Sequence, residues 1–256
     1  SKTDHDVTLP IRLPSAGYIT SQRTDLSVNH SSFLPTPPKD PPEDVRTFAF
    51  RQLLQRIQEI APLDECDRAL LEQKIRWEIC PKGTLLLRPG EVSNHLRFMH
   101  EGAVICYEHV DEELQLEKVG WIARPSELVL EINSFFQRSP TLQYLKCTAP
   151  CAFLTLTYDD LQMLYVESPA WNTAGRRLFE EYMLLMAERT YLHQLNTAKE
   201  KYKYFTERFP EATQLFSLRH IAAFLRIRPE TLSRLRSPKS GSSPKSSVRS
   251  AKSGTT

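Results

Sequence analysis

No stretch of this sequence approaches the roughly 18–20 consecutive apolar residues that a membrane helix needs, so no membrane partner is expected. The start has no basic segment followed by an apolar block, so no secretory leader is expected, and the expected location is the cytoplasm. Cysteine is sparse: Cys66, Cys80, Cys106, Cys147 and Cys151 are odd in number and form no CxxC pair. They read as reduced thiols, partly in a core. Cys147 and Cys151 flank Pro150 in an extended stretch, too far apart there to be read as a metal pair. Acid is nearly missing from one end. From Ser217 onward nine Arg and Lys face the single acid Glu230, a charge of +8 in a chain of net +2. The remainder is therefore at −6. A basic end on an acidic body points to a polyanionic partner.

What is present divides the chain into five segments. Residues 1–43 have few periodic apolar positions and end in a proline run, Leu34 to Pro42, which opposes helix and sheet alike. A disordered linker is expected there. Residues 44–167 open with helical periodicity, Phe48, Phe50, Leu53, Leu54, Ile57 and Ile60, stopped by Pro62. Asp64 can cap a second helix carrying Leu70, Leu71 and Ile75. Short strands then follow at Thr84–Arg88, His95–His100, Ala103–His109, around Leu116–Val119, Gln143–Ala149 and Cys151–Thr157, punctuated by Gly83, Pro89-Gly90 and Glu101-Gly102. That spacing predicts a sandwich, roll or barrel.

Helical periodicity returns at Tyr158. Ser168-Pro169 is an N-cap followed by a first-turn proline. The helix it opens, residues 168–195, should span about 37–40 Å at ~1.5 Å per residue. Phe179, Met183, Met186, Thr190 and His193 recur in a 4-3-4-3 pattern, with Leu178, Tyr182, Leu185 and Leu192 beside them. An apolar surface that wide can meet both its own domain and a second helix. Phe179, Tyr182, Met183 and Met186 are the expected dimer contacts, so a second copy of the chain is an expected partner. Residues 196–236 hold a helix over about Thr197–Phe209 and the segment treated next. Residues 237–256 are Ser, Lys, Gly and Pro with almost nothing apolar, and predict a disordered basic tail.

Within Phe216–Arg236, Leu218, Ile221, Ala222 and Leu225 form an i, i+3, i+4, i+7 stripe. Small Ala222 and Ala223 let a second helix cross closely. Arg226-Ile227-Arg228 reads as a tight turn, and Pro229 opens a second helix whose Leu232 and Leu235 face inward. Two short helices and a tight turn make a helix-turn-helix. Its second helix presents Glu230, Thr231, Ser233 and Arg234 as base readers in a DNA major groove. Arg219, Arg226, Arg228 and Arg236, at the edges, are expected on phosphates. Double-stranded DNA is the expected partner.

The run Ile221-Ala222-Ala223-Phe224-Leu225, then Pro229-Glu230-Thr231-Leu232-Ser233-Arg234-Leu235-Arg236, resembles the DNA-reading motif of the Crp–Fnr family, nearest the variant of Bacteroidetes-type bacteria. Lys82-Gly83, Pro89-Gly90 and Glu101-Gly102 fall where that family's β-roll turns, and Thr197–Glu211 resembles its linker helix. The likeness spans roughly residues 48–236. It implies an α+β fold: a jelly-roll β-barrel sensor domain like the cyclic-nucleotide-binding domain, a long dimerisation helix and a C-terminal helix-turn-helix. It also implies transcription regulation through a palindromic site, with RNA polymerase as a further candidate partner. Within it Glu230 and Arg234 take the places of the principal base readers. Two departures stand in the turn: Arg226 replaces glycine, and Arg228 replaces a hydroxyl cap. A third concerns the effector. Glu131 aligns with the family's ribose-binding Glu, but Leu130 replaces the preceding Gly, and Thr141 stands where an Arg would pair with a cyclic phosphate. Arg138 is the nearby substitute. A small-molecule effector other than a cyclic nucleotide is expected, its identity open. Residues 1–43 also lack the cysteine cluster of the family's oxygen sensors.

Two other readings remain. One is a ligand-binding or interaction module whose helix-turn-helix has lost DNA binding, raised by the two turn arginines. The other is a cupin-like metal oxygenase, which needs clustered histidines with a carboxylate. His95, His100 and His109 are available, but no HxH pair exists, and His95 and His100 point to opposite faces of a regular strand. The expectation is no enzyme activity, no metal and no cofactor.

Overall fold

The computed structural model describes residues 43–111 and 116–237. The proline-rich segment up to residue 42, the hairpin tip at 112–115 and the tail from residue 238 lie outside the described residues.

The helical opening forms as its periodicity predicts. α1 (Glu43–Ile60) buries Ala49, Leu53 and Ile57. α2 (Glu65–Lys74) starts at a reciprocal capping box, in which Asp64 accepts from the Asp67 N–H and Asp67 from the Asp64 N–H. The strands follow as β1 (Arg76–Cys80), β2 (Leu85–Leu87), β3 (His95–Glu101), β4 (Val104–Asp111), β5 (Leu116–Ala123) and β6 (Leu128–Val129). Then come α3 (Ile132–Gln137), β7 (Tyr144–Cys147), β8 (Cys151–Thr157), α4 (Tyr158–Glu167) and the long α5 (Pro169–Gln194). The chain continues through α6 (Ala198–Arg208), α7 (Ala212–Leu215), α8 (Leu218–Leu225) and α9 (Pro229–Arg236). β1, β6, α3 and α7 are absent from the sequence reading; each is short and carries too few residues to show a period.

Two antiparallel four-stranded sheets, ordered β1-β8-β3-β6 and β2-β7-β4-β5, face each other as a jelly roll. Side chains fill the interior: Leu87, Met99, Val104, Ala123, Val129, Leu145 and Phe153, with Cys80, Cys106, Cys147 and Cys151. Gly102 (φ +115) lies directly against the Cys151 thiol, where a Cβ would collide with Sγ at 2.5 Å. Cys147 and Cys151 were expected to be apart. The β7–β8 corner instead brings them into one buried cluster with Cys80. A buried ion pair also sits in the roll: Arg97 donates to Glu78 at 2.7 Å, and Thr155 donates to the same carboxylate.

Each sheet also buries its outer face. Against β1-β8-β3-β6 pack α1, α2, α4 and the first half of α5, around Phe98, Leu154, Leu156, Leu164 and Trp171. Against β4 and β5 pack the end of α5 and α6 to α9, around Ile105, Tyr107, Val119, Ile122, Leu192, Phe205, Phe224 and Leu225. Because both faces of β4 are covered, Ala103-Val104-Ile105-Cys106-Tyr107 is apolar without alternation, and every one of those residues is buried.

Candidate nucleic-acid interface

α8 begins at Ser217, whose hydroxyl accepts from the His220 N–H at 3.3 Å. It buries Ile221, Ala222, Phe224 and Leu225. Leu218, expected in that stripe, is 38% exposed, because the buried face is rotated onto Phe224. The chain reverses at Arg226, which adopts the left-handed conformation (φ 55, ψ 47) and donates its N–H to the Ala222 and Ala223 carbonyls. The turn therefore keeps the geometry glycine would give, at a strain of about 1 kcal/mol for a residue with a Cβ. Arg228 occupies the N-cap of α9 in extended conformation and makes no side-chain capping bond. Pro229 follows at the first helical position, where its missing N–H leaves no bond unmade.

α9 is anchored by Leu232, fully buried, and by half-buried Leu235. Glu230, Ser233, Arg234 and Arg236 are exposed, Thr231 is half-buried, and Arg226 and Arg228 are exposed beside the helix start. Six of the eight expected DNA-contacting residues are thus exposed on α9 and the turn before it. Arg219 is directed elsewhere: its guanidinium pairs with Glu117 of β5 at 3.8 Å, tying α8 to the sensor sheet.

His193, the last residue of the 4-3-4-3 pattern on α5, sits beneath this turn. Its ring packs edge-on against Phe224 at 5.3 Å. Burial, then the Arg226 and Lys201 charges, push its pKa down to about 4. Tyr182 departs from the expected dimer contacts. It is 9% exposed and packs with Leu130, Phe135 and Leu161 of its own domain, so it belongs to the intramolecular face of α5. Phe179 and Met183 do lie outward, at 45% and 49% exposure, with Met186 half-buried next to them.

The expected effector residues are engaged within the chain. Glu131 is buried and caps α3, accepting from the Asn133 and Ser134 N–H groups at 3.2 and 2.7 Å. Arg138 donates to the Ser93 carbonyl at 2.8 Å and to Asn94 at 2.7 Å, and stacks on Tyr158 at 4.2 Å. Thr141 is buried and accepts from the Gln143 N–H. The three histidines of the oxygenase reading are dispersed. His95 lies near Arg97 and Glu78, His100 packs at a tilt against Trp77, and His109 packs edge-on against Tyr107 and Tyr144. Among the described residues no group of three or more His, Cys, Asp or Glu could hold a metal ion.

Arg189 was not anticipated. It is buried on α5, donates to the Ile122 carbonyl at 2.6 Å, pairs with Glu127 at 3.5 Å and lies over Trp121. Arg124 completes the network on Glu127 at 2.7 Å. Glu127 and Arg189 are 62 residues apart, so no local sequence signal could have joined them.

The backbone arrangement matches solved structures. FixK2 from Bradyrhizobium japonicum is 16% identical, with TM-score 0.51 over 63% of this chain and 82% of that one. A regulator assigned to the Crp/Fnr family, from Eubacterium rectale, is 11% identical, with TM-score 0.52 over 68% and 82%. The fold is that of the Crp/Fnr regulators. A structure described as a cAMP-binding regulatory protein from Silicibacter pomeroyi covers more of the chain, 75%, at 17% identity and TM-score 0.51. No protein-family model and no curated protein matches the sequence. No described helix is long and apolar enough to cross a membrane.

Proposed function

We propose that this chain is a DNA-binding transcriptional regulator, not an enzyme, acting in the cytoplasm as a homodimer on a palindromic site. The observation that carries the reading is the exposed edge of α9 and its turn: Arg226, Arg228, Arg234 and Arg236 beside Glu230 and Ser233, on a helix whose opposite face is buried. An arginine there can pair bidentately with guanine and Glu230 can accept from cytosine. Phe179, Met183 and Met186 on α5 form the seam to a second copy, which sets two recognition helices on half-sites about 34–36 Å apart. The effector is a small molecule other than a cyclic nucleotide, because Thr141 stands where an Arg would pair with the phosphate and Arg138, the nearby substitute, is already bonded to Ser93 and Asn94. RNA polymerase is a further partner in this reading.

A second reading is favoured by one observation. The helix-turn-helix shares a hydrophobic core with β4 and β5, and Arg219 is paired with the sensor sheet. A module held there could serve an interaction other than DNA. Genome-wide mapping of bound sites, followed by a mobility-shift titration at several salt concentrations, tests between them. A regulator gives recurring palindromic sites and affinity that falls steeply with salt. Absence of salt-sensitive DNA binding leaves the second reading.

A further inference from the structure

A cavity of about 90 Å³ lies outside the β-roll, between the outer face of the β1-β8-β3-β6 sheet and helices α1, α2, α4 and α5. Its walls are apolar, including Ile57, Leu96, Leu128, Phe135, Leu154 and Leu164. It is separate from the roll interior, which Met99 and Phe153 fill from the other face of the same strands. Protein interiors leave few voids larger than a water molecule, and apolar cavities of this kind stay dry and accept apolar guests. An engineered one of roughly 150 Å³ takes up benzene. This cavity is smaller but has an exit. Phe136 and Phe179, both 45% exposed in the single chain, line it and also line a groove along α5 that opens beside the proposed seam residues Met183 and Met186.

Two polar groups stand on its wall. Tyr182 is 9% exposed and its hydroxyl makes no hydrogen bond among the described residues. Tyr165 reaches across to α5 because residue 175 is glycine; a Cβ there would strike the Tyr165 hydroxyl. That hydroxyl too has no hydrogen-bond partner among the described residues. Burial raises the pKa of both phenols, so both stay protonated donors at neutral pH. The remaining polar wall group, the Trp171 indole N–H, is already bonded to the Asp67 carbonyl at 3.2 Å. No charged side chain lines the cavity, which disfavours ions.

We propose that this cavity binds a small uncharged molecule with a ring-sized or short aliphatic body and one oxygen acceptor, held by the Tyr165 and Tyr182 hydroxyls. A guest there would touch α5 at Gly175, Leu178, Phe179 and Tyr182, on the helix that carries the exposed seam residue Met183. The site stands independently of DNA recognition.

Cyclobutanone and methylenecyclobutane, alike in shape, smaller than benzene and differing in the carbonyl oxygen, are the probes. Calorimetry on the full chain should show saturable one-to-one binding of both. The double variant Tyr165→Phe/Tyr182→Phe should weaken cyclobutanone about 3–10-fold, the worth of one hydrogen bond, and leave methylenecyclobutane unchanged. Leu96→Phe and, separately, Leu128→Phe should fill the space and weaken both probes at least 10-fold while the protein stays folded by circular dichroism. The proposal is overturned if neither probe saturates wild type at millimolar concentration. It is equally overturned if folded filling variants bind like wild type, or if the tyrosine variant weakens both probes alike. DNA affinity of the same variants without probe, read separately, keeps failure of the DNA reading distinct.

Discussion

Replacing Arg226 by glycine should make the protein more stable and its DNA binding less salt-dependent at once. Arg226 holds φ 55, ψ 47 with its N–H on two α8 carbonyls, a conformation that disfavours a Cβ by about 1 kcal/mol. Glycine removes that strain but gains freedom in the unfolded chain, so the net stabilisation should be about 0.5–1 kcal/mol. At roughly 2–4 °C per kcal/mol for a protein of this size, the melting midpoint should rise by about 1–4 °C. Arg228→Ser should add a comparable step. It places a hydroxyl at an N-cap that now has no side-chain bond, a change worth about 1 kcal/mol. Each arginine that touches a phosphate contributes about 0.9 to the slope of log K against log salt, so each substitution should flatten the slope by about that amount. The assay pairs thermal melts with DNA titrations at four salt concentrations. A third readout lies beside the turn: without the Arg226 charge, the His193 pKa should rise from about 4, burial still holding it below its ordinary value. Loss of stability in Arg226→Gly would refute the strained turn. A stabilised variant with an unchanged salt slope would refute the phosphate contact.

Arg234→Ala should cost about 1–3 kcal/mol on a preferred site and much less on scrambled DNA, whereas Arg236→Ala should change both alike; the reverse pattern in parallel titrations would exchange their roles. Met183→Glu should weaken the dimer, read by light scattering at micromolar concentration, because the side chain is 49% exposed on the proposed seam. Arg189→Met removes a buried cation from Glu127 and the Ile122 carbonyl, and should cost about 3–5 kcal/mol in urea melts, less to the extent that Arg124 retains Glu127. His193 is depressed in the folded state, so the unfolded chain binds the extra proton first. Its contribution is complete above about pH 6.5 and is lost as pH falls toward about 4. His193→Phe should flatten denaturation curves across that window, and an unchanged curve would place the titration elsewhere.

Periodicity and punctuation alone determined the helix-turn-helix, the long α5 and most of the strands, because these depend on neighbours three, four or two residues away. Ser168-Pro169 and Arg226-Ile227-Arg228 are legible for the same reason: capping and turn chemistry act within one helical turn. The departures at Arg226 and Arg228 were visible as residue types, while only the backbone dihedrals decided that the left-handed turn survives them. Which side of α5 meets which neighbour was also left to the tertiary structure. Phe179, Tyr182, Met183, Met186 and His193 look alike in a heptad count. Packing sends Tyr182 into its own domain and His193 under Phe224, and leaves Phe179 and Met183 outward. The Cys80–Cys147–Cys151 cluster, the Arg189–Glu127 pair and the tyrosine-walled cavity join residues far apart in the chain. Their formation depends on how two sheets and six or more helices close on one another, which no local pattern encodes.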